Sequence, residues 1–236
     1  MVAAVALVVL AVLLIVHYAG GHDDDGDGDR GVDHTPTLAG DGRSEARLDI
    51  TGGVNRLTIT ADDLGGDLVH AQTPDGQRVV PILREPTSGS VTVATEAKDA
   101  GGDGAIDLTV RLARDVRWDI AVDGGSSLLT LDLSTARVKS LDITQGEATI
   151  NADLPKPDGV LNARIAGGAS AVRVTLPAGV PARATFSGGA GGATLDGEHH
   201  GGLGGGTVLS TPGNSPDRLE LALDSGIGSL ELQHRS

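Results

Sequence analysis

A short sequence frame that occurs six times constrains this chain more than any other feature. In each copy two apolar residues stand seven positions apart, and a glycine pair or a near equivalent occupies the second and third positions after the first of them. The copies begin at Ile50, Val122, Ile143, Ile165, Phe186 and Leu223. The spacings from the second copy to the fifth are 21, 22 and 21 residues. A unit that recurs at such a period is typical of a solenoid, in which each turn packs on its neighbours.

Alternating apolar and polar residues flank the glycines, as in the stretch around Trp118, Ile120 and Val122. This period of two predicts strands with one buried face. Because seven is odd, residues seven apart in an unbroken strand would point to opposite faces, so the chain must bend between them if both are buried. Glycine permits the positive φ that such a bend requires. We therefore predict structural corners at Gly52, Gly53, Gly124, Gly125, Gly146, Gly167, Gly168, Gly188, Gly189 and Gly226.

The period and the corners together predict an all-β, single-stranded β-solenoid of about 21 residues per coil over residues 44–236. Further candidate strands begin at residues 57, 67, 79, 90 and 105, but they lack the glycine corner, so the coil count in residues 57–115 stays open. About eight coils spaced ~4.8 Å apart would form a rod on the order of 40 Å long. Residues 197–216 interrupt the period and predict a glycine-rich loop that projects from one coil.

The first segment predicts a membrane anchor. Residues 2–16 contain no polar side chain, and with the residues up to 20 they are just long enough to cross a bilayer as one helix. A signal peptide is the alternative for residues 1–21, although a basic n-region is missing. Residues 22–43 are rich in Asp and Gly and predict a disordered acidic linker. We expect a single-pass protein of the cytoplasmic membrane whose C-terminal domain lies outside the cytoplasm.

Composition excludes several classes of function. The formal net charge is −14, which disfavours nucleic acid as a partner because such binding requires clustered Lys and Arg. The chain has no cysteine, so disulfides, thiolate zinc sites and cysteine nucleophiles are excluded. Only three aromatic residues occur, Tyr18, Trp118 and Phe186, so the core must be aliphatic.

Two groups of residues resemble metal ligands only weakly. His199 and His200 form a compact cluster with their acidic neighbours, but adjacent residues of a strand point to opposite sides, so a shared ion would require a loop. Asp23, Asp25 and Asp27 match the start of a calcium loop, whereas the position of its bidentate glutamate holds a histidine. We predict no catalytic residue, cofactor or firm metal site.

The pattern resembles the toast-rack family of adhesin-like bacterial proteins and the C-terminal domain of LiaF-type envelope-stress regulators. The residues that carry the resemblance are "WDIAVDGGSSLLTLDLS" (118–134), "LDITQGEATINADLP" (141–155), "ARIAGGASAVRVTLPAGVPARATFSGGAGGATLDG" (163–197) and "LDSGIGSLELQ" (223–233). The resemblance implies a right-handed β-helix that is commonly tethered to a bacterial membrane. It implies no catalytic residues.

Three functional hypotheses follow. The first is a non-enzymatic, membrane-anchored binding or envelope-stress sensing module, which contacts an envelope polymer or a protein through exposed side-chain ladders and the segment 197–216. The second is a scaffold that forms homo-oligomers through open solenoid ends, because the final strand has no obvious cap. The third is a polysaccharide-active enzyme, for which the predicted outward carboxylates are Asp119, Asp132, Asp142 and Glu220.

Overall fold

Strands alone form the regular secondary structure in the part of the chain that the structure describes. The structure is a computed structural model and describes residues 34–77, 79–97 and 105–235. These residues form two mixed sheets, of ten and nine strands, and contain no α-helix. The predicted all-β class is therefore confirmed. Among these residues there is no helix long and apolar enough to cross a membrane, and the predicted anchor, residues 1–21, lies outside them.

The strands alternate between the two sheets along most of the chain. In chain order they are β1 (Thr37–Ala39), β2 (Glu45–Ile50), β3 (Val54–Asp62), β4 (Asp67–Gln72), β5 (Val79–Thr87), β6 (Ser90–Ala97), β7 (Asp107–Ala113), β8 (Arg117–Val122), β9 (Ser126–Asp132), β10 (Arg137–Ile143), β11 (Glu147–Asp153), β12 (Val160–Ile165), β13 (Ala169–Leu176), β14 (Ala182–Phe186), β15 (Ala190–Leu195), β16 (Glu198–Leu203), β17 (Thr207–Ser210), β18 (Arg218–Leu223) and β19 (Ile227–His234). The candidate strands from residues 57, 67, 79, 90 and 105 correspond to β3 to β7.

The repeating unit is a coil of two strands, one in each sheet, joined by a short corner. The six copies of the frame fall at the corners of β2–β3, β8–β9, β10–β11, β12–β13, β14–β15 and β18–β19. A seventh coil, β6–β7, does not follow the frame, because nine residues, 98–106, stand between its strands. Neighbouring coils pair in parallel in both sheets, so that equivalent residues such as Val122, Ile143 and Ile165 are aligned.

Aligned apolar rows form one core between the sheets. Leu131, Ala152 and Val174 lie side by side in one row of the ten-stranded sheet, and all three are buried. The two large aromatic residues of the domain, Trp118 and Phe186, are fully buried among aliphatic side chains. The Trp118 indole Nε1–H donates to the carbonyl oxygen of Ala113 at 2.9 Å, which satisfies its one polar atom.

The coils do not stack in the order of the sequence. The first coil, β2–β3, lies between β6–β7 and β8–β9. The last coil, β18–β19, lies between β12–β13 and β14–β15. The expectation that the final strand is an open end is therefore wrong, because β19 has a hydrogen-bonded neighbour on each side. An internal position satisfies the main-chain groups of both edges, which a terminal position would leave for solvent.

Each end of the stack is covered by a coil that runs in the reverse direction. At one end β4 pairs antiparallel with β7, and β5 pairs antiparallel with β6. At the other end β16 pairs antiparallel with β15, and β17 with β14. The prediction of a projecting loop over residues 197–216 is thus wrong for most of its length. The chain reverses at Asp196 and Gly197, whose φ angles of 48° and 87° fit the tight turn that an Asp-Gly pair favours in hairpins.

Three of the four outermost strands, β1, β5 and β17, are poor templates for pairing with another chain. Strand β1 has three residues and β17 has four, while β5 carries Pro81 and Pro86, which cannot donate a main-chain hydrogen bond. Strand β1 pairs with β4, so the folded domain begins before residue 44 and the predicted linker of residues 22–43 extends too far. The final strand offers no open end for oligomerisation, because β19 lies inside the stack.

The corner glycines are required mainly for close packing between coils. Among the ten predicted corner positions only Gly52 and Gly189 have a positive φ, so the explanation from backbone freedom is wrong for the other eight. A Cβ atom on Gly124 would overlap the carbonyl oxygen of Gly52 in the next coil, and one on Gly167 would overlap that of Gln145. Glycine is needed there because successive corners approach one another with backbone against backbone.

This packing predicts the effect of one added methyl group. We expect Gly124→Ala to lower the free energy of unfolding by about 1–3 kcal/mol, the usual cost of overpacking a tight site. The measurement is urea denaturation of the full chain followed by fluorescence of Trp118, its single tryptophan. The control is Gly204→Ala, because a Cβ there meets nothing within 4 Å. Equal effects of the two substitutions would contradict the close-packing explanation.

Candidate binding surfaces and cap groove

The outer faces of both sheets carry rows of polar side chains at the spacing of the coils, about 4.8 Å. On the ten-stranded sheet one row runs through Thr109, Thr58, Thr130, Asn151, Arg173, Glu231 and Thr194. On the nine-stranded sheet one row runs through Arg47, Asp119, Ser140, Asn162, Glu220 and Arg183. These rows are the side-chain ladders that the alternating pattern predicts.

Most charges in the ladders neutralise one another. Arg164 lies between two carboxylates, with Nε 2.7 Å from Asp224 and Nη1 3.3 Å from Asp142, and the bond to Asp224 raises the pKa of the guanidinium. Partial burial by itself would raise the pKa of Asp119, but hydrogen bonds from Ser140 Oγ at 2.6 Å and Lys139 Nζ at 2.9 Å lower it below its ordinary value.

The carboxylates considered for an enzyme are held in structural contacts. Asp119 and Asp142 pair with the cations just described, and Glu220 lies 2.7 Å from Arg218. Asp132 accepts a hydrogen bond from Ser134 Oγ at 3.1 Å. These four residues lie on β8, β9, β10 and β18, and their nearest partners are neighbouring side chains of the ladders rather than one another. The arrangement favours surface organisation over a paired acid and base.

Glu147 is the exception among the acidic residues, because it points into the core. It is 4% exposed, and its Oε2 accepts hydrogen bonds from the backbone N–H of Ser126 at 2.6 Å and from the Ser126 hydroxyl. Its Oε1 is buried and has no hydrogen-bond partner among the described residues. Burial raises the pKa of Glu147 above its ordinary value, although the bonds from Ser126 oppose the rise.

The burial of Glu147 has a signal in the sequence, its place in the repeated frame. At this position of the frame, directly after the corner, the other copies carry Val54, Ser126, Ala169, Ala190 and Ile227. Glu147 is the only ionisable residue in this set, and four of the other five are apolar. An ionisable residue at a frame position that is otherwise mostly apolar therefore indicates a buried polar group.

A groove opens at one end of the stack, between the two strands of the reversed coil. We call it the cap groove; its volume is about 370 Å³, and it is lined by Leu195, Asp196, Glu198, His200 and residues 208–212. Glu198 lies opposite Leu195 and His200 opposite Ala193, so both occupy the core face of β16. Other coils carry aliphatic side chains on that face. The cap groove therefore combines an apolar floor with an ionisable rim.

The rim of the cap groove is acidic. Glu198 Oε1 lies 3.6 Å from His200 Nε2, and the Glu198 side chain is 80% exposed. The groove lining contains no Arg or Lys, and neither residue type occurs in the sequence between Arg183 and Arg218. Because no Arg or Lys among the described residues lines the groove, the exposed Glu198 carboxylate produces a negative potential at its mouth.

His234 fixes the turn next to the groove. Its Nδ1 lies 2.8 and 2.9 Å from the two carboxylate oxygens of Asp196, and its Nε2 lies 2.7 Å from the carbonyl oxygen of Val180. Both partners of the ring are hydrogen-bond acceptors. His234 thereby ties the last strand to the turn that starts the reversed coil.

The structure does not bring the weak metal candidates together. His199 and His200 are consecutive residues of β16 and face opposite sides, with His199 Nδ1 3.3 Å from Thr194 Oγ1. The loop geometry that a shared ion would need is absent because this segment is a strand. Asp23, Asp25 and Asp27 lie outside the described residues. Within the described ranges no group of three His, Asp or Glu side chains is placed to hold a metal ion.

Comparison with known proteins gives the following similarities. Residues 27–175 match the family described as the N-terminal domain of toast_rack, DUF2154. A crystal structure named "putative cell adhesion protein" from Clostridium sporogenes is 16% identical, with a TM-score of 0.63, and the alignment covers 85% of this chain and 98% of that one. A "putative adhesin" from Bacteroides fragilis is 13% identical over 87% of this chain and 100% of that one, with a TM-score of 0.26. No curated protein matches.

The burial of Glu147 predicts an unusual dependence of stability on pH. Because its pKa is raised in the folded chain, this residue favours folding most below its ordinary pKa, and that contribution is lost as the pH rises through the folded value. We expect Glu147→Gln to raise the midpoint of urea unfolding at pH 7.5 relative to the parent chain, and the two midpoints to converge near pH 4.

Exposed Glu45 provides the matched control, since Glu45→Gln makes the same chemical change outside the core. Its midpoint should follow that of the parent chain at both pH values. A difference between Glu147→Gln and the parent chain that does not change with pH would show that the buried carboxylate is not the titrating group.

Proposed function

The chain belongs to the toast-rack family, and from that premise we propose that it is a non-enzymatic binding module of the adhesin type. Residues 1–21 anchor it in the cytoplasmic membrane, and the stacked domain lies outside the cytoplasm. The observation that carries the proposal is the surface itself: two ladder faces with internally paired charges, and one groove with the exposed carboxylate of Glu198 at the end of the stack. Such a surface is suited to contact with a large partner.

The comparisons support the same role without defining a ligand. The Clostridium sporogenes protein, which shares the fold at a TM-score of 0.63, carries the name "putative cell adhesion protein". Envelope-stress sensing would use the same anchored module and the same faces. The short strands β1 and β17 and the prolines of β5 argue against end-to-end assembly. The ion pairs of Asp119 and Glu220 argue against hydrolysis of a polysaccharide.

Cysteine labelling tests on which side of the membrane the domain lies. The chain has no native cysteine, so Asn214→Cys places a single thiol at an exposed position between β17 and β18. We expect a membrane-impermeant maleimide to label intact and lysed cells equally. Ser88→Cys, at an exposed turn between β5 and β6, serves as the control for local accessibility. Labelling of both variants only after lysis would overturn the extracytoplasmic placement.

Adhesion itself is tested with cells that produce the full chain. We expect these cells to be retained several-fold more than cells without the chain on a surface coated with purified bacterial envelopes. Soluble competition by the full chain in detergent micelles should abolish the difference. If cells with and without the chain are retained equally, the adhesive role is refuted, whatever the topology.

A further inference from the structure

The cap groove has the form of a site for an aliphatic chain that ends in a positive charge. Its floor contains Leu195, which is 6% exposed, and Leu209, which packs against the core. The carboxylate of Glu198 stands at the rim. The volume of about 370 Å³ falls at the lower end of the usual range for ligand clefts, roughly 300–1,000 Å³.

The negative charge at the rim of the groove favours a positively charged ligand. Glu198 has one ion-pair partner among the described residues, His200 at 3.6 Å, which is longer than a hydrogen bond. Asp196 is engaged by His234, so Glu198 is the acceptor at the rim that is free to take an incoming donor. With a net charge of −14, the whole chain also attracts a cationic partner at long range.

The strands beside the groove favour a peptide as its occupant. Strand β16, of six residues, is the last strand of the ten-stranded sheet and is paired on one side only within the described part of the chain. An extended peptide can add main-chain hydrogen bonds along such an edge, and its alternate side chains then point toward the groove. Among the described residues no Trp, Tyr or Phe lines the groove, so it lacks the usual platform for stacking against a sugar ring there.

We propose that the cap groove binds a lysine- or arginine-bearing extended segment of a partner protein. The aliphatic stem of the basic side chain lies on Leu195 and Leu209, and its charged head meets Glu198. This inference rests on the proposed binding function and names the class of partner and the site. The edge strand that receives the peptide is short, so the basic side chain supplies most of the selectivity.

The test uses the full chain in neutral detergent micelles and three fluorescent, end-blocked pentapeptides. The probe is Thr-Val-Lys-Val-Thr, and the other two peptides replace its lysine by norleucine or by glutamate. Fluorescence anisotropy should show binding of the lysine peptide, weaker binding of the norleucine peptide and no binding of the glutamate peptide. Glu198→Gln should raise the Kd of the lysine peptide by roughly fivefold or more.

The matched control is Glu96→Gln, the same change at an exposed position near the opposite end of the stack. It should leave the Kd unchanged, and both variants should unfold at the same urea concentration as the parent chain. Equal weakening by the two substitutions would show unspecific attraction to the acidic chain and would overturn the proposal. So would full competition by free spermidine or glucosamine, which would indicate small amines in place of a peptide.

The adhesion assay separates this inference from the function on which it rests. Cells that carry Glu198→Gln and are retained normally would show that adhesion uses a ladder face and that the cap groove is not its site. Selective peptide binding by a chain that supports no cell retention would keep the groove assignment and refute the adhesive role.

Discussion

The close approach of successive corners is the constraint on which this structure depends. Parallel main-chain hydrogen bonds hold neighbouring coils about 4.8 Å apart along both sheets. At that spacing the corners also stack, and a Cβ on Gly124, Gly167 or Gly188 would meet the backbone of the adjoining coil. Small corners therefore keep both sheets in register at once. The aligned apolar rows and the outward ladders both follow from that register.

The positions of the terminal coils change what kind of repeat protein this is. In a simple solenoid each repeat contacts its neighbours in sequence, and folding can propagate from any point. Here the first and last coils lie inside the stack, so β19 bridges β13 and β15, two strands that precede it in the chain. His234 and Arg235 secure that insertion through contacts to Asp196 and Asp153. The stack is consequently closed by long-range contacts.

The reversed coils explain where a binding site can arise. An internal coil has a neighbouring coil on each side, so its core face must be apolar. A capping coil has a neighbour on one side only, so the demand for apolar side chains on its core face is weaker. At β16 this relaxed demand admits Glu198 and His200 on the core face, and the space between β16 and β17 remains as the cap groove. Glu147 shows the opposite case, an acid within an internal coil; among the described residues Ser126 is its one hydrogen-bond partner, and one carboxylate oxygen has none.

The strands, the corner positions and the aliphatic core follow from the sequence alone, because period-two alternation and the glycine frame are local properties that each coil repeats. Two further local signals are the Asp-Gly turn at residues 196–197 and the ionisable residue at position 147. The order of the coils, and with it the cap groove, depends instead on tertiary contacts. Coils with similar edges can pair with one another in many orders, and the choice depends on main-chain contacts between residues far apart in the chain. For the same reason the sequence predicted a loop over residues 197–216, where β16 and β17 pair with the edges of β15 and β14.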